Sequence, residues 1–442
     1  MTPSNARHRV VIFGMSLAVL SYIDRTVIAQ AAPLISRDLG FDKIQMGTVF
    51  SAFLLGYGLF EIPGGWYGDL VGARKGLMRI VLTWSAFTSL TGAAWSFASM
   101  IVVRFLFGVG EAGCFPIIAK SFTTWLPRVE RTRAQGLLWM AARWGGAFTP
   151  LLVVWVLQYV RWRSAFGLFG LLGIVWAVFF YRWYRDDPRT HKSVNSAELA
   201  LLGDVEPHAA EHGSVPWGRL LRSRSVLLLA AQYYFLSFGW YFSLTWLPTY
   251  LQEHHHLTAT ESATYAVFPL FFNGLGSLVC GMVSTRLTRS TGDLVRTRRI
   301  MAILGFIGAG TLLMLSTRMD GINATIALMS AASFCNDLVM PHAWASCMDV
   351  GGRYAASVAG TMNLMGNLAG TTSTMIGGFL LSRTGGDWNL FIVILAGVYF
   401  LGIPCWAMLD PSTPIEAASA VSRFREPDAA GRAPRAPSLP PM

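Results

Sequence analysis

Charge is what this chain lacks. Asp, Glu, Lys and Arg make up 13% of its 442 residues, about half the share of a soluble domain, while 53% are hydrophobic and 13% aromatic. That scarcity excludes an ordinary soluble fold and leaves no room for a separate aqueous module. Cysteine is sparse too: Cys114, Cys280, Cys335, Cys347 and Cys405 all fall in apolar segments, at none of the paired spacings of a zinc or redox site. They read as small packing residues, with no disulfide framework and no metal. Nor is there the convergent nucleophile, metal cluster or nucleotide loop that an enzyme needs. The net charge of +11 does not imply a nucleic-acid partner, because the basic residues are scattered through short loops and do not cluster with stacking aromatics.

What remains is apolar and periodic. Uninterrupted runs long enough to cross about 30 Å of hydrocarbon occur near 10–32, 45–63, 76–95, 98–120, 134–159 and 164–184, and again near 225–251, 262–285, 300–317, 322–347, 354–381 and 388–409. These predict an all-α membrane protein of twelve transmembrane helices in two six-helix halves. The first run continues into Asp24 and Arg25 without a small-residue cleavage site, so it is expected to stay as the first helix. The single long hydrophilic stretch, 185–224, divides an N-terminal half (1–184) from a C-terminal half (225–409). From 410 to 442 the chain is rich in Pro, Ala, Ser and Arg, the composition of a disordered tail.

Of the 35 Lys and Arg residues, the loops on one side hold only Arg37, Lys43, Arg161, Arg163, Arg318 and Arg383. The excess marks the cytoplasmic side. It places both termini, the linker and the tail in the cytoplasm of a multi-pass protein of a bacterial inner (plasma) membrane. Two halves joined this way predict a carrier whose halves rock about a midplane site, functional as a monomer.

Charges inside spans are expensive and are functional hypotheses by default. Arg25, Arg104, Arg143, Asp24, Glu111 and Asp337 qualify; Glu61, near a predicted span end, is expected to face the interface. Tyr22 and Arg25, three apart, share one helical face, and Asp24 is rotated from it by about 100°. Arg104 and Glu111, seven apart, lie on one face of the fourth span about 10 Å apart along its axis. A carboxyl set between apolar desolvation and a nearby guanidinium suits proton coupling, with Arg104 as the tuner of Glu111.

Between the second and third spans stands Gly65-Trp-Tyr-Gly68-Asp69-Leu-Val-Gly72-Ala-Arg74-Lys75. It resembles the signature loop of the major facilitator superfamily, with Leu70 in place of the usual basic residue. The resemblance implies a conformational latch built on Gly65, Asp69, Gly72, Arg74 and Lys75. The Tyr-x-Asp-Arg of the first span, Arg104 with Glu111, Trp246-Leu-Pro248-Thr-Tyr250-Leu, and Gly360-Thr-Met-Asn363 are similar to the anion:cation symporter family over nearly the whole chain, in particular to its galactonate, hexuronate and glucarate carriers.

This resemblance implies a substrate pocket from Tyr22, Arg25, Tyr57, Gln232, Trp344 and Asn363, and proton coupling by Asp24 and Glu111. Arg25 would hold the substrate carboxylate, the natural use of a planar bidentate donor. Tyr22, Tyr57, Gln232 and Asn363 would bond hydroxyls, and Trp344 would stack on the carbon skeleton. Arg104 and Arg143 are further cations for the same cavity. Two features depart from the galactonate pattern: Arg143 replaces a neutral polar residue and would suit a second carboxylate, and Asn336-Asp337-Leu-Val-Met-Pro341-His342-Ala343-Trp344 replaces small hydroxyl residues. His342 either takes part in proton transfer or bonds a backbone group freed by Pro341. His254, His255 and His256 read as a solvated outer loop.

The expected function is symport of a small carboxylate, a sugar acid such as an aldonate, uronate or aldarate, with protons as the coupling ion and no other cofactor. Its partners are that substrate, protons and the lipid bilayer. The alternatives are an organic-anion antiporter or facilitated exchanger, since Gly145-Gly146-Ala-Phe-Thr-Pro150 partly matches the antiporter pattern; a carrier of aromatic or small dicarboxylates; and, remotely, a non-transporting receptor.

Overall fold

The computed structural model describes residues 2–202, 215–411 and 413–415, and among these the regular structure is helical throughout. The N-terminal half comprises α1 (Ala6–Leu39), α2 (Lys43–Val71), α3 (Ala73–Gly92), α4 (Phe97–Glu111), α5 (Cys114–Trp125), α6 (Arg128–Tyr159) and α7 (Trp162–Trp183). Short helices α8 (Ser196–Leu202) and α9 (Trp217–Leu220) lie in the linker. The C-terminal half comprises α10 (Arg224–Thr245), α11 (Leu247–Glu253), α12 (Ala259–Thr291), α13 (Leu294–Ser316), α14 (Ile322–Gly351), α15 (Ala355–Thr384), α16 (Trp388–Phe400) and α17 (Gly402–Met408). Each predicted span has its counterpart, and most helices extend past the apolar run by a turn or more.

Three spans are broken, each for a local reason. Pro116 cannot donate to the carbonyl of Ala112, so the fourth span splits into α4 and α5 immediately after Glu111. Pro248 near the start of α11 does the same to the seventh. The last divides at Leu401 into α16 and α17. By length and apolarity alone, nine stretches among the described residues suffice to cross a membrane, one of them running through both α14 and α15. The two spans that fall short are α3, with Arg74, Lys75 and Arg79 in its first two turns, and α10, whose Tyr, Ser and Trp residues line the molecular interior.

The halves meet along α2 against α15 and α6 against α12, and glycines set how closely. Gly65 lies against the carbonyl of Ala356, Gly360 against that of Glu61, and Gly136 against that of Ser277, each without room for a Cβ. The stretch expected as a loop after the second span is therefore mostly helix. Its turn is confined to Gly72, at φ 81°, while Gly65 serves close approach. The halves together bury a continuous apolar core, and large side chains such as Leu54, Leu55 and Leu59 on α2 remain exposed, as a lipid-facing surface requires.

The linker is tied to the bundle. Glu198 in α8 accepts hydrogen bonds from the backbone N–H groups of Ala6 and Arg7, both at 3.0 Å, capping α1 from a distant part of the chain. The start of the tail is also held, contrary to the expectation of disorder from 410. Arg299 donates to the Leu409 carbonyl at 2.9 Å, Arg298 donates to that of Pro411 at 3.1 Å, and Ile415 is buried. The rest of the predicted disordered tail, from 416, lies outside the described residues.

Candidate functional site

A cavity lies between the halves, lined by Tyr22 and Arg25 of α1, Tyr57 of α2, Phe115 of α5, Trp139 and Arg143 of α6, and Tyr233, Trp240, Tyr241, Asn336, Asn363 and Asn367 of the C-terminal half. Five of the predicted pocket residues are thus brought together: Tyr22, Arg25, Tyr57, Arg143 and Asn363. Arg25 is a cation in an aromatic cage, its guanidinium carbon 4.4 Å from the Tyr57 ring centre and 5.5–5.8 Å from those of Phe53, Tyr22 and Phe115.

Arg25 is also ion-paired. Its Nε donates to Glu111 Oε1 at 2.9 Å, and Ser21 Oγ donates to the same carboxylate oxygen. The partner of Glu111 is therefore Arg25 across the helix interface, and not Arg104 as its own helix suggested. The break after Glu111 places this carboxylate at the end of α4, where it is fully buried but beside the cavity wall. Nη2 of Arg25 and Oε2 of Glu111 are buried without a hydrogen-bond partner.

Asp24 and Arg104 lie behind this pair. Both are 1% exposed. Neither Asp24 oxygen has a hydrogen bond, nor does Nε or Nη1 of Arg104; the Arg104 guanidinium lies over the Phe107 ring at 4.3 Å. The 100° rotation expected between Arg25 and Asp24 has its consequence here, because Arg25 lines the cavity and Asp24 does not. Buried charged groups left without hydrogen bonds are costly, which keeps both as functional candidates.

Glu61 corrects the expectation that it faces the interface. Because α2 extends to Val71, Glu61 sits well inside the helix, fully buried. It accepts hydrogen bonds from Asn363 and from Asn367, the latter at 2.8 Å, so the two halves are joined through a carboxylate. Asn363 also donates to the Tyr57 hydroxyl at 3.4 Å and accepts from that of Tyr233 at 3.4 Å, and Tyr241 donates to Asn367 at 3.0 Å. The signal was in the spacing: Tyr57 and Glu61, and Asn363 and Asn367, are each four apart and share a helix face.

Arg143 and Asp337 prove to be partners. Nε and Nη2 of Arg143 donate to Oδ2 and Oδ1 of Asp337 at 3.2 and 3.4 Å, a two-pronged pair between the halves. Ser277 and Asn336 each donate to Asp337 at 2.9 Å, and the Arg143 guanidinium lies 4.2 Å from the Trp240 ring.

Gln232 and Trp344 do not reach the cavity in this conformation. Gln232 is turned away, donating to the Leu229 carbonyl at 3.0 Å and accepting from Trp406 at 3.1 Å. Trp344 lies behind the wall, 5.2 Å from the Trp139 ring, and its Nε1 donates to the Tyr233 hydroxyl at 3.3 Å; it orders cavity residues from outside. His342 is fully buried, and neither ring nitrogen has a hydrogen bond, so it does not bond a backbone group freed by Pro341. His254 and His256 are exposed, and the former stacks on Tyr250 at 5.1 Å. The five cysteines are free thiols, four of them buried. Among the described residues, no group of three or more His, Cys, Asp or Glu side chains is placed to hold a metal.

The face of the molecule that carries the linker is bolted shut. Asp69, in the last turn of α2, accepts from Lys120 Nζ at 2.7 Å and from the backbone N–H groups of Ser357 at 2.7 Å and Ala356 at 3.4 Å. It therefore caps the start of α15 across the interface, where a carboxylate is favoured. Lys120 also donates to the Arg353 carbonyl at 2.9 Å. A second bolt joins Arg131 of α6 to Asp349 of α14, which is paired also with Arg298 at 2.6 Å. Arg74 is held instead by α7 and the linker: its guanidinium donates to the Tyr181 carbonyl and its backbone N–H to Asp186. Lys75 is exposed. Polar contacts between the halves run from the level of Trp144 and Asn367 to this face.

A family model described as Major Facilitator Superfamily matches residues 14–374. The chain is 33% identical over 412 residues to a probable sulfoacetate transporter of Cupriavidus necator, covering 92% of this chain and 94% of that one. It is 28% identical over 425 residues to the D-galactonate transporter of Escherichia coli, with 92% and 96% covered, and 26% identical over 387 residues to the hexuronate transporter of Bacillus subtilis, with 87% and 90% covered. Its fold matches that of a proton:xylose symporter with a TM-score of 0.74 at 13% identity, over 95% of this chain and all of the other.

Proposed function

Because the chain belongs to the Major Facilitator Superfamily and is a membrane transporter rather than an enzyme, we propose that it carries a small organic acid into the cell together with protons. The substrate class we assign is a sugar acid or a similarly compact hydroxylated or sulfonated acid. The observation that carries the reading is the Arg25–Glu111 pair at the cavity wall. Arg25 presents an unfilled Nη2 edge in an aromatic cage, and its counter-ion is a carboxylate from another helix.

An incoming anion competes with Glu111 for Arg25. Once displaced, Glu111 is a buried carboxylate without a counter-charge, a costly state that proton uptake relieves. Anion binding and proton binding thus favour each other through one guanidinium. Asp24, buried behind the pair without a hydrogen bond of its own, is the next carboxylate on the proton's path, and the Arg104 guanidinium beside it sets the local charge. Tyr22, Tyr57, Tyr233, Tyr241, Asn363 and Asn367 offer neutral donors and acceptors for substrate hydroxyls. The relatives named for galactonate, hexuronate and sulfoacetate support an anionic substrate of this size.

In this reading the bolted face is cytoplasmic, as the Lys and Arg distribution predicts, and the cavity receives substrate from outside. Neutralising the charges around Arg25 lets the outer ends of the halves close, after which the bolts at Asp69 and Asp349 release. The test is uptake into proteoliposomes under an imposed inward proton gradient, with aldonates, uronates, aldarates and sulfoacetate as substrates. Accumulation that follows the gradient is expected. Uptake of these anions that ignores the gradient would overturn the coupling and leave an exchanger.

A further inference from the structure

The cavity contains a second guanidinium that the mechanism above does not use. Arg143 lines the same space as Arg25, and Tyr22 links the two: its ring centre is 5.7 Å from the Arg25 guanidinium carbon, and it packs on Gly146, where an added Cβ would stand 2.9 Å from the ring. Gly146 is one turn from Arg143 on α6. The pairing of Arg143 differs from that of Arg25 in kind. Asp337 engages Arg143 with both oxygens while also accepting from Ser277 and Asn336, and Asn336 is in turn fixed by Tyr399 at 3.0 Å. The Asp337 carboxylate is thus a fully engaged anchor. It occupies Nε and Nη2 of Arg143 and leaves Nη1 uncommitted on a side chain that borders the cavity.

Resting on the proposed transport of an organic acid, we propose that the substrate is a dianion whose two acidic groups are held separately, one by Arg25 and the other by the free edge of Arg143. The chemistry that fits is a compact molecule with two anionic ends, each a carboxylate or a sulfonate, and hydroxyl groups between them. Asp337 is a positioning residue. It fixes the Arg143 guanidinium through Nε and Nη2, 4.2 Å from the Trp240 ring, and leaves Nη1 for the substrate. The two sites differ in consequence. Binding at Arg25 displaces Glu111 and calls for a proton, whereas binding at Arg143 displaces nothing, so the second acidic group contributes affinity and selectivity without changing the coupling. Because Asp337 belongs to the opposite half, the second anionic end is also read by both halves together.

Calorimetric titration of the purified carrier with size-matched pairs, gluconate against glucarate and methylsulfonylacetate against sulfoacetate, tests this. One charge-assisted contact corresponds to about tenfold in affinity, so the wild type is expected to bind each dianion about tenfold more tightly than its monoanionic match. Arg143→Gln should remove that preference. Removing one member of a buried pair strands the other, so the charge-balanced Arg143→Gln/Asp337→Asn double variant is the second arm. It should fold and bind gluconate and glucarate with equal affinity. Equal affinities for mono- and dianions in the wild type, or equal loss of both in the double variant, would overturn the proposal while leaving organic-acid transport intact. Failure of every anion to bind the wild type would overturn that underlying reading as well.

Discussion

Arg25 Nε and Glu111 Oε1 are 2.9 Å apart, in a pair that joins α1 to the end of α4 at the wall of the central cavity. A guanidinium can satisfy its buried carboxylate partner or a substrate anion, but the two compete for the same positive charge. Glu111→Gln removes the competition without removing the volume. The variant is expected to exchange substrate across the membrane, with binding no weaker than wild type, and to lose proton-driven accumulation. Counterflow and gradient-driven uptake in the same proteoliposomes separate these activities. Loss of both to the same degree would make Glu111 part of the pocket rather than the coupling site.

Asp69 predicts how the closed face is held. Its carboxylate receives Lys120 and the first free amides of α15, and hydrogen bonds to a charged group contribute about 1.5–3 kcal/mol each. Asp69→Asn should loosen the contact by that order, speeding hydrogen exchange at the Ala356 and Ser357 amides by roughly tenfold or more. The amides at the start of α12, capped separately by Thr258, should be unaffected. Unchanged exchange at Ser357 would mean that Lys120 alone holds the bolt.

The apolar runs made the twelve spans and the division into halves legible, because backbone satisfaction in a membrane leaves few alternatives to helices. Arg25, Asp24 and Glu111 stood out by the cost of burying charge. Their pairing was hidden, because sequence spacing reports neighbours on one helix and the decisive contacts are between helices. Glu111 was matched to Arg104 for being seven residues away, and it is Arg25, in another helix, that it meets. For the same reason the sequence shows Arg143 and Asp337 as two separate buried charges and hides that they are partners. Glu61 is misplaced because the polar composition after Pro63 conceals eight more residues of helix. Gln232 and Trp344 were assigned to the pocket by resemblance alone, and their side chains are engaged by Trp406 and Tyr233 instead.

The approach of α2 to α15 yields a steric prediction. A methyl group at Gly65 would meet the Ala356 carbonyl, which belongs to backbone and cannot swing aside. Gly65→Ala should cost about 1–3 kcal/mol in the conformer closed at the linker face and spare the conformer in which the halves are apart on that side. Transport is expected to fall sharply while the protein remains folded. A lowered thermal midpoint, together with greater protease access to the linker face, would check this. Wild-type uptake by the variant would show that the halves close without this contact.

Glu198 supplies a prediction in pH. Burial alone would push its carboxyl up. The hydrogen bonds from Ser4, from the backbone of Arg7 and Ala6 and from the Arg7 side chain outweigh burial and hold it below its ordinary value of 4.5. A carboxyl lowered in the folded state stabilises that state fully above its ordinary value, and the contribution disappears as pH falls through the lowered one. The strap that ties α8 to the start of α1 should therefore hold at neutral pH and loosen only in acid below 4.5. Glu198→Gln abolishes the dependence and the charged cap together, at a cost of about 0.5–2 kcal/mol. Hydrogen exchange at the Ala6 and Arg7 amides, followed from neutral pH into acid and corrected for the intrinsic pH dependence of exchange, should show protection that collapses in the wild type and is already reduced, without a pH step, in the variant. A wild-type protection factor that stays constant as the pH is taken well below 4.5 would show that α1 is held by packing rather than by this cap.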